Sequence, residues 1–280
     1  MNKEILIICR GGGDLATGIV HRLFRAGYQV LILETAEPAA IRRQVSFCEA
    51  VYEGTATVEG VTAERIYTAK KQAVEEVLQR GHIPLLVDPD GRSIEVLKPD
   101  VVVDAIIAKK NLGTYKEMAP LVIGIGPGFV AGKDVHLVVE SMRGHNLARI
   151  LETGSALANT GIPGNIGGYT KERVIHAAAE GYMKNLHQIG DVVRKGEKIA
   201  RIYEQMSPEG VFSGRFVSVE ATIPGVLRGL IREGYHFQKG FKIADIDPRE
   251  SELANCFTIS DKASSIGGSV LEAVCRYVNG

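Results

Sequence analysis

The stretch EILIICRGGGDLATGIVHRLFRAGYQVLILE, residues 4–34, decides how the rest of the chain is read. Residues 4–10 are a mostly apolar run that ends in a glycine cluster, the pattern of a strand buried at the centre of a parallel sheet. Leu15, Ile19 and Leu23 then recur at helical spacing. Asp14 is placed to cap a helix running to about Ala26, and Gly27 to end it. Residues 28–34 read as the next strand, which completes one strand–helix–strand unit.

Gly11, Gly13 and Ala16 fit the G-x-G-x-x-G/A pattern, directly after a strand and at the start of a helix. The first glycine permits a tight turn, the second removes a Cβ that would block a phosphate, and the small third residue lets helix and strand pack closely. The helix start offers unpaired N–H groups and a partial positive charge. Gly11, Gly12, Gly13, Asp14, Ala16 and Thr17 are therefore candidate contacts for a nucleotide or dinucleotide. Glu34 ends the second strand, where an acid can accept from a ribose. It disfavours a 2′-phosphate, so NAD fits better than NADP among dinucleotides. The same turn also serves as plain structure, and Asp14 beside a phosphate is unfavourable unless it turns away or a cation intervenes.

Further alternation follows. A helix is expected over 69–80, and strands over 82–87, 100–108, 119–125 and 135–140. Glycines at 54 and 60 suggest an insertion or edge hairpin within 51–67. The fold class expected is α/β: a Rossmann-like, doubly wound, mostly parallel sheet over 1–150. A Gly-, Asn- and Pro-rich connecting or binding loop follows over 151–175.

Beyond it lies an internal repeat. Residues 190–200 read GDVVRKGEKIA and residues 234–244 read GYHFQKGFKIA; at the same offset Gly181 matches Gly225 and Leu186 matches Leu230. Two such halves bury their apolar faces only against each other. The segment 176–250 looks like the barrel-sandwich fold of biotinyl and lipoyl carriers. No lysine lies between Lys198 and Lys239, so a swinging-arm function is not expected. The remainder, 251–280, reads as a C-terminal helix capped by Ser260.

Other candidates are weaker. Lys109, Lys110, Asn111 and Thr114 follow a buried strand and can meet an anionic ligand, or form a solvated loop. Gly124–Gly132 is a second glycine-rich loop. His145 is an acid/base candidate because histidine titrates near neutrality. Cys256 precedes a helix start, where a thiol can be activated, although a small buried hydrophobe is the plainer reading. Ser260, Asp261 and Lys262 read as a polar site or simply as a cap with an acid in the first turn. Neither the histidines nor the four scattered cysteines show metal-ligand spacing, so no metal site is expected.

Composition narrows the classes. Lys+Arg and Asp+Glu balance at 33 each, and Trp is absent. Nucleic acid is not an expected partner. No apolar run reaches a membrane span or a signal-peptide core, so a cytoplasmic protein is expected.

Three longer stretches, CRGGGDLATGIVHRL (9–23), VDAIIAKKNLGT (103–114) and TISDKASSIGGSVLEA (258–273), together with GIGPGF, MRGH and NTGIPGNIGGYT, resemble the accessory proteins of selenium-dependent molybdenum hydroxylase systems. The opening turn also resembles the Rossmann part of xanthine dehydrogenase accessory factors. The resemblance implies a maturation factor that binds molybdopterin dinucleotide or a related nucleotide, with a molybdenum hydroxylase as client. An NAD-dependent oxidoreductase and a non-catalytic scaffold for the hydroxylase are the alternatives.

Overall fold

The computed structural model describes residues 5–159, 161 and 164–280. The first residue of the expected opening strand, Glu4, and Thr160, Ile162 and Pro163 of the expected binding loop lie outside these. The chain divides into two compact units: Met1–Pro38, Val45–Thr160 and Ile259–Gly280 form unit 1, and Ala39–Gln44 and Gly161–Thr258 form unit 2.

Unit 1 runs β1 (Leu6–Arg10), α1 (Asp14–Arg25), β2 (Gln29–Glu34), α2 (Ala50–Glu53), β3 (Thr55–Val58), β4 (Val61–Ile66), α3 (Lys71–Gln79), β5 (Ile83–Val87), α4 (Arg92–Leu97), β6 (Val101–Asp104), β7 (Leu121–Ile125), β8 (Leu137–Val139) and β9 (Ile150–Leu151). Unit 2 follows with β10 (Val174–His176), β11 (Gly181–Asn185), β12 (Val192–Val193), β13 (Lys198–Met206), β14 (Phe212–Glu220), β15 (Gly225–Leu230), β16 (His236–Phe237) and β17 (Lys242–Asp247). The last helix, α5 (Asp261–Asn279), belongs to unit 1.

Among the described residues the sheet of unit 1 has the order β3-β4-β5-β2-β1-β6-β7-β8-β9. Its strands alternate by face as period-two geometry requires. Ile7, Cys9, Val101 and Val103 point to the layer that holds α1 and α5, and Ile8 and Val102 point to the layer that holds Val74, Val77 and Ile94 of α3 and α4. Both faces are covered, which is why these strands read as continuous apolar runs.

The expected regular, doubly wound Rossmann-like sheet is corrected by this topology. The sheet is mixed: β3 runs antiparallel to β4, and β9 antiparallel to β8. The segments leading from β6 to β7 and from β7 to β8 carry no α-helix. One of the two long helices on the first face comes instead from the far end of the chain. Local pattern revealed β1, β2, β5, β6, β7 and β8 and suggested a hairpin at β3 and β4; it revealed neither β9 nor that a helix from residue 261 onward covers this face. The strand expected over 100–108 also stops at Asp104, and by Ile107 the backbone has turned to a positive φ of 60°, which no strand accommodates.

In unit 2 the barrel-sandwich assignment gives way to a plainer description: among the described residues, two four-stranded antiparallel sheets ordered β10-β17-β15-β12 and β14-β13-β11-β16. The repeated segments fold alike and exchange strands: β12 pairs with β15, and β16 with β11. Gly190 N–H donates to Leu227 O, and Gly234 N–H to Met183 O. Gly181 and Gly225 take φ of 152° and 144°, and a Cβ on either would press on a carbonyl, Tyr203 O at 2.3 Å or Asp247 O at 2.2 Å. Matched glycines thus mark matched close approaches.

Candidate functional site

The carboxyl ends of β1, β6, β7 and β8 lie side by side. From β1 the chain moves to β2 on one side, and from β6 to β7 on the other. In open α/β sheets the crevice at such a reversal is where ligands sit.

Two of the three turn glycines are occupied with the fold itself. Gly11 has φ +101°, donates to Leu33 O at 2.7 Å, and a Cβ there would lie 2.9 Å from Ala105 O. Gly12 donates to Glu34 Oε1 at 2.8 Å, and its carbonyl accepts from Cys48 N at 2.8 Å and Thr17 Oγ1 at 3.1 Å. Thr17 is buried and also accepts from Phe47 N at 2.9 Å. Ala16 is buried under the turn. Glu34 turns its second oxygen to Thr35 N at 2.7 Å. Burial raises its carboxyl above the usual range, and the amides of Gly12 and Thr35 oppose that rise.

Gly13 differs. Its φ of −71° suits any residue, and nothing lies within 4 Å of where its Cβ would be. Gly13, not Asp14, is the N-cap of α1; Asp14 is the first helical residue. A glycine cap brings no side-chain acceptor. Among the described residues none accepts from the amides of Leu15 and Ala16, two of the donors that every helix start leaves open.

Helix α5 brings charge to this point. Its packing on α1 is close: a Cβ on Gly18 would lie 2.7 Å from Ala263 Cβ, and one on Gly267 would lie 2.6 Å from Gly18 O. Ser260 Oγ caps α5 by accepting from Ala263 N at 3.2 Å. Arg143, in the loop after β8, donates to both oxygens of Asp261 at 2.8 and 2.9 Å. The next residue, Lys262, is partly buried. It makes no hydrogen bond or ion pair among the described residues, unlike its neighbours. Burial lowers its pKa, Arg143 adds to the effect, and Asp14, Glu140 and Asp261 oppose it. Glu140 is 3% exposed, and its oxygens accept from Met142 N at 2.6 Å and Leu157 N at 2.8 Å.

The loop after β6 is braced from below. Arg10 and Asp104, both buried, meet Thr114; Thr114 Oγ1 donates to Asp104 at 2.6 Å. Asn111 holds the same Thr114 through 2.7 and 2.8 Å bonds, so its side chain serves the loop. Ile107 and Lys109 take φ of 60° and 63°, a strained region for non-glycine residues and for a β-branched one above all. Lys109 and Lys110 are exposed, and a Cβ on Gly128 would lie 2.8 Å from Lys110 Cα. The glycine-rich loop after β7 thus closes on the loop after β6.

Gly11–Gly13, Asp14, Ala16, Thr17, Glu34 and Lys109–Asn111 therefore gather at adjoining strand ends. Two candidates do not join them. His145 is exposed, with no hydrogen bond among the described residues. Cys256 lies in the core of unit 2, whereas α5 belongs to unit 1. Burial pushes its thiol up, which opposes activation, and Arg228 and Arg42 only partly offset this. Glu140 and the Cys48 segment escaped notice because a strand-end acid and a small apolar residue carry no local sign of where they pack.

No family model matches the chain. It is 47% identical over 274 residues to the uncharacterized protein YqeB of Escherichia coli (strain K12), covering 98% of this chain and 48% of YqeB. The chain thus spans about half the length of that relative. Three solved structures are among those most similar. The ectoine utilization protein EutE of Ruegeria pomeroyi, product-bound, has a TM-score of 0.28 and 10% identity, covering 87% of this chain and 85% of that one. An aspartoacylase family protein of Mesorhizobium loti has 0.30 and 10%, covering 89% and 86%. A succinylglutamate desuccinylase/aspartoacylase of Rhodobacter sphaeroides has 0.28 and 12%, covering 88% and 86%.

These comparisons correct the functional expectation. The solved structures carry desuccinylase, aspartoacylase and ectoine-utilization titles, and none of these titles names a molybdenum-hydroxylase accessory factor, an NAD-dependent oxidoreductase or a hydroxylase scaffold. Those readings are withdrawn. At these TM-scores the likeness carries no reaction over to this chain.

Proposed function

We propose that unit 1 binds a phosphate-bearing small molecule of the nucleotide or dinucleotide type, seated against the start of α1 at the carboxyl edge of the sheet. The supporting observation is Gly13. Packing accounts for Gly11 and Gly12, but nothing within 4 Å requires a glycine at 13. Serine, aspartate or asparagine there would cap α1 better. A ligand phosphate that lies against the cap and takes the Leu15 and Ala16 amides accounts for the missing side chain. In this reading Glu34, at the end of the adjoining strand, accepts from a ribose as well as from the Gly12 and Thr35 amides, and the loop with Ile107 and Lys109 follows the neighbouring strand β6.

The test is Gly13→Asp. The new carboxylate caps the open amides and occupies the phosphate seat. Stability rises by a few tenths of a kcal/mol (about 0.3), while calorimetry shows binding lost across a panel of adenosine, cytidine and guanosine nucleotides and NADH. A parent protein that binds none of them, or a variant that binds as its parent does, ends this reading.

A further inference from the structure

Unit 2 carries an edge strand that the fold leaves open. β14 is the outermost strand of its sheet and, among the described residues, pairs only with β13. Ser213, Gly214, Arg215, Phe216 and Val217 are all exposed, Phe216 at 47% and Val217 at 42%. Edge strands are usually shortened, charged or broken by proline, because their unpaired N–H and C=O groups attract other strands. β14 is nine residues long without a proline, and its Arg215 is tied back to Glu204 Oε1 at 2.8 Å. Arg215 and Ala221 turn their N–H groups to the β13 side, toward Glu204 Oε2 at 3.2 Å and Glu197 O at 2.9 Å. Alternation along the strand then turns those of Phe216 and Ser218 to the open edge.

The face beside this edge is apolar and cationic. Met183, Ile202 and Val219 point into the core of unit 2. On the other face the register sets His236, Tyr182, Tyr203 and Phe216 in one row across all four strands. The rings of Tyr182 and His236 lie 4.7 Å apart, those of Tyr203 and Phe216 5.2 Å, and the row ends on Phe216 at the edge. Arg201, opposite Ser218 in the register, leans toward that edge: its guanidinium carbon lies 4.7 Å from the centre of the Phe216 ring. Among the described residues no carboxylate pairs with it. It donates to Tyr203 Oη at 3.4 Å, and its Nε is buried without a partner.

We propose that the open edge of β14 binds an extended segment of a partner protein by strand addition. The segment carries an aromatic or β-branched residue opposite Phe216 and a carboxylate two residues away, opposite Ser218. Backbone bonds to Phe216 and Ser218 hold it, and residues two apart share a face, so both side chains lie over the ring row. The first continues that row and the second meets the Arg201 guanidinium, the favourable kinds of cross-strand pair. A second copy of this chain does not fit. In a two-fold antiparallel pair, residues opposite each other share a face. Centred on Phe216, such a pair continues the rings but sets the second copy's Gly214 opposite Ser218. Glu220 is the only acid of β14, and setting it opposite Ser218 puts Thr222 opposite Phe216. The inference is independent of the nucleotide reading of unit 1.

A display library of random nine-residue peptides, panned on the full chain, supplies the probe. Enriched peptides are expected to place an aromatic or β-branched residue two positions from Asp or Glu. Binding of one such peptide is then followed by fluorescence anisotropy. Ser218→Pro removes an N–H that the fold itself does not use, a place where an edge strand tolerates proline, and is expected to weaken binding at least tenfold. Arg201→Met is expected to weaken the acidic peptide on the order of tenfold, while a peptide with Gln in place of the acid binds parent and variant alike. Moving the acid by one position, which sends it to the opposite face, is expected to cost as much and needs no variant of the protein. Absence of enrichment, enrichment without the pattern, equal binding of the shifted peptide, or parental binding by a folded Ser218→Pro variant overturns the inference. So does sedimentation of the parent as a dimer that Ser218→Pro splits, which would assign the edge to a second copy.

Discussion

Lys109 shows how a single residue can be placed against its own preference. At φ 63° an L side chain is crowded by the backbone, and Lys109 is exposed, with no packing to compensate. Lys109→Gly is therefore expected to stabilise unit 1 by about 1 kcal/mol, measured by urea unfolding. Nucleotide affinity decides what the side chain does: unchanged binding assigns the strain to loop shape alone, and weakened binding gives the ammonium a part in holding the ligand. Destabilisation by the glycine would show that the strain is relieved in some other way. Ile107, at φ 60°, is the harder case, because it is partly buried against the core and a glycine there would lose packing as well as strain. No pattern in residues 103–114 announced either angle.

The α1–α5 crossing is the element on which the candidate site hangs. Small residues, Gly18, Ala263 and Gly267, let the helices approach until their backbones touch. Gly18→Ala and Gly267→Ala each force a methyl to within about 3 Å of backbone atoms that cannot move aside, so each is expected to cost about 2 kcal/mol by overpacking. Thermal unfolding reads the loss. By contrast Gly268→Ala, inside α5 at a position with nothing within 4 Å, is expected to raise stability by about 0.5–1 kcal/mol, as replacing a glycine in a helix interior does. In the sequence the small residues of each helix read as ordinary composition. The G-x-G-x-x-A spacing marked how α1 meets its own strand, but nothing local marked which distant helix it would meet.

For the whole molecule, the return of the chain end to unit 1 matters most. Ile266, Val270 and Val274 of α5 are fully buried. Three such side chains contribute roughly 5–9 kcal/mol of apolar burial, comparable with the net stability of an ordinary domain. A chain ending at residue 258 is expected to leave unit 1 unfolded or aggregated, seen as loss of cooperative unfolding and of solubility on expression. A stable, cooperatively folding truncation would contradict this account. Unit 2 is interrupted in the same manner, since Ala39–Gln44 belongs to it: Leu230 N–H donates to Ile41 O at 2.9 Å, and Arg43 Nε to Leu230 O at 2.8 Å. Both units are assembled from separated segments, and the boundaries expected at 150 and 250 followed composition, which does not register such returns.

Apolar runs, helical spacing and the internal repeat in the sequence determined the strands β1, β2 and β5, the helices α1 and α5 and the paired halves of unit 2, because each of these depends on neighbours a few residues away or on a segment that repeats. Tertiary structure alone decided the mixed sheet, the closing of Gly12 by Glu34 and Cys48, the spare room at Gly13 and the unpaired Lys262. Each of those joins residues far apart in the chain, and whether a polar group finds a partner is settled by packing that no local pattern encodes.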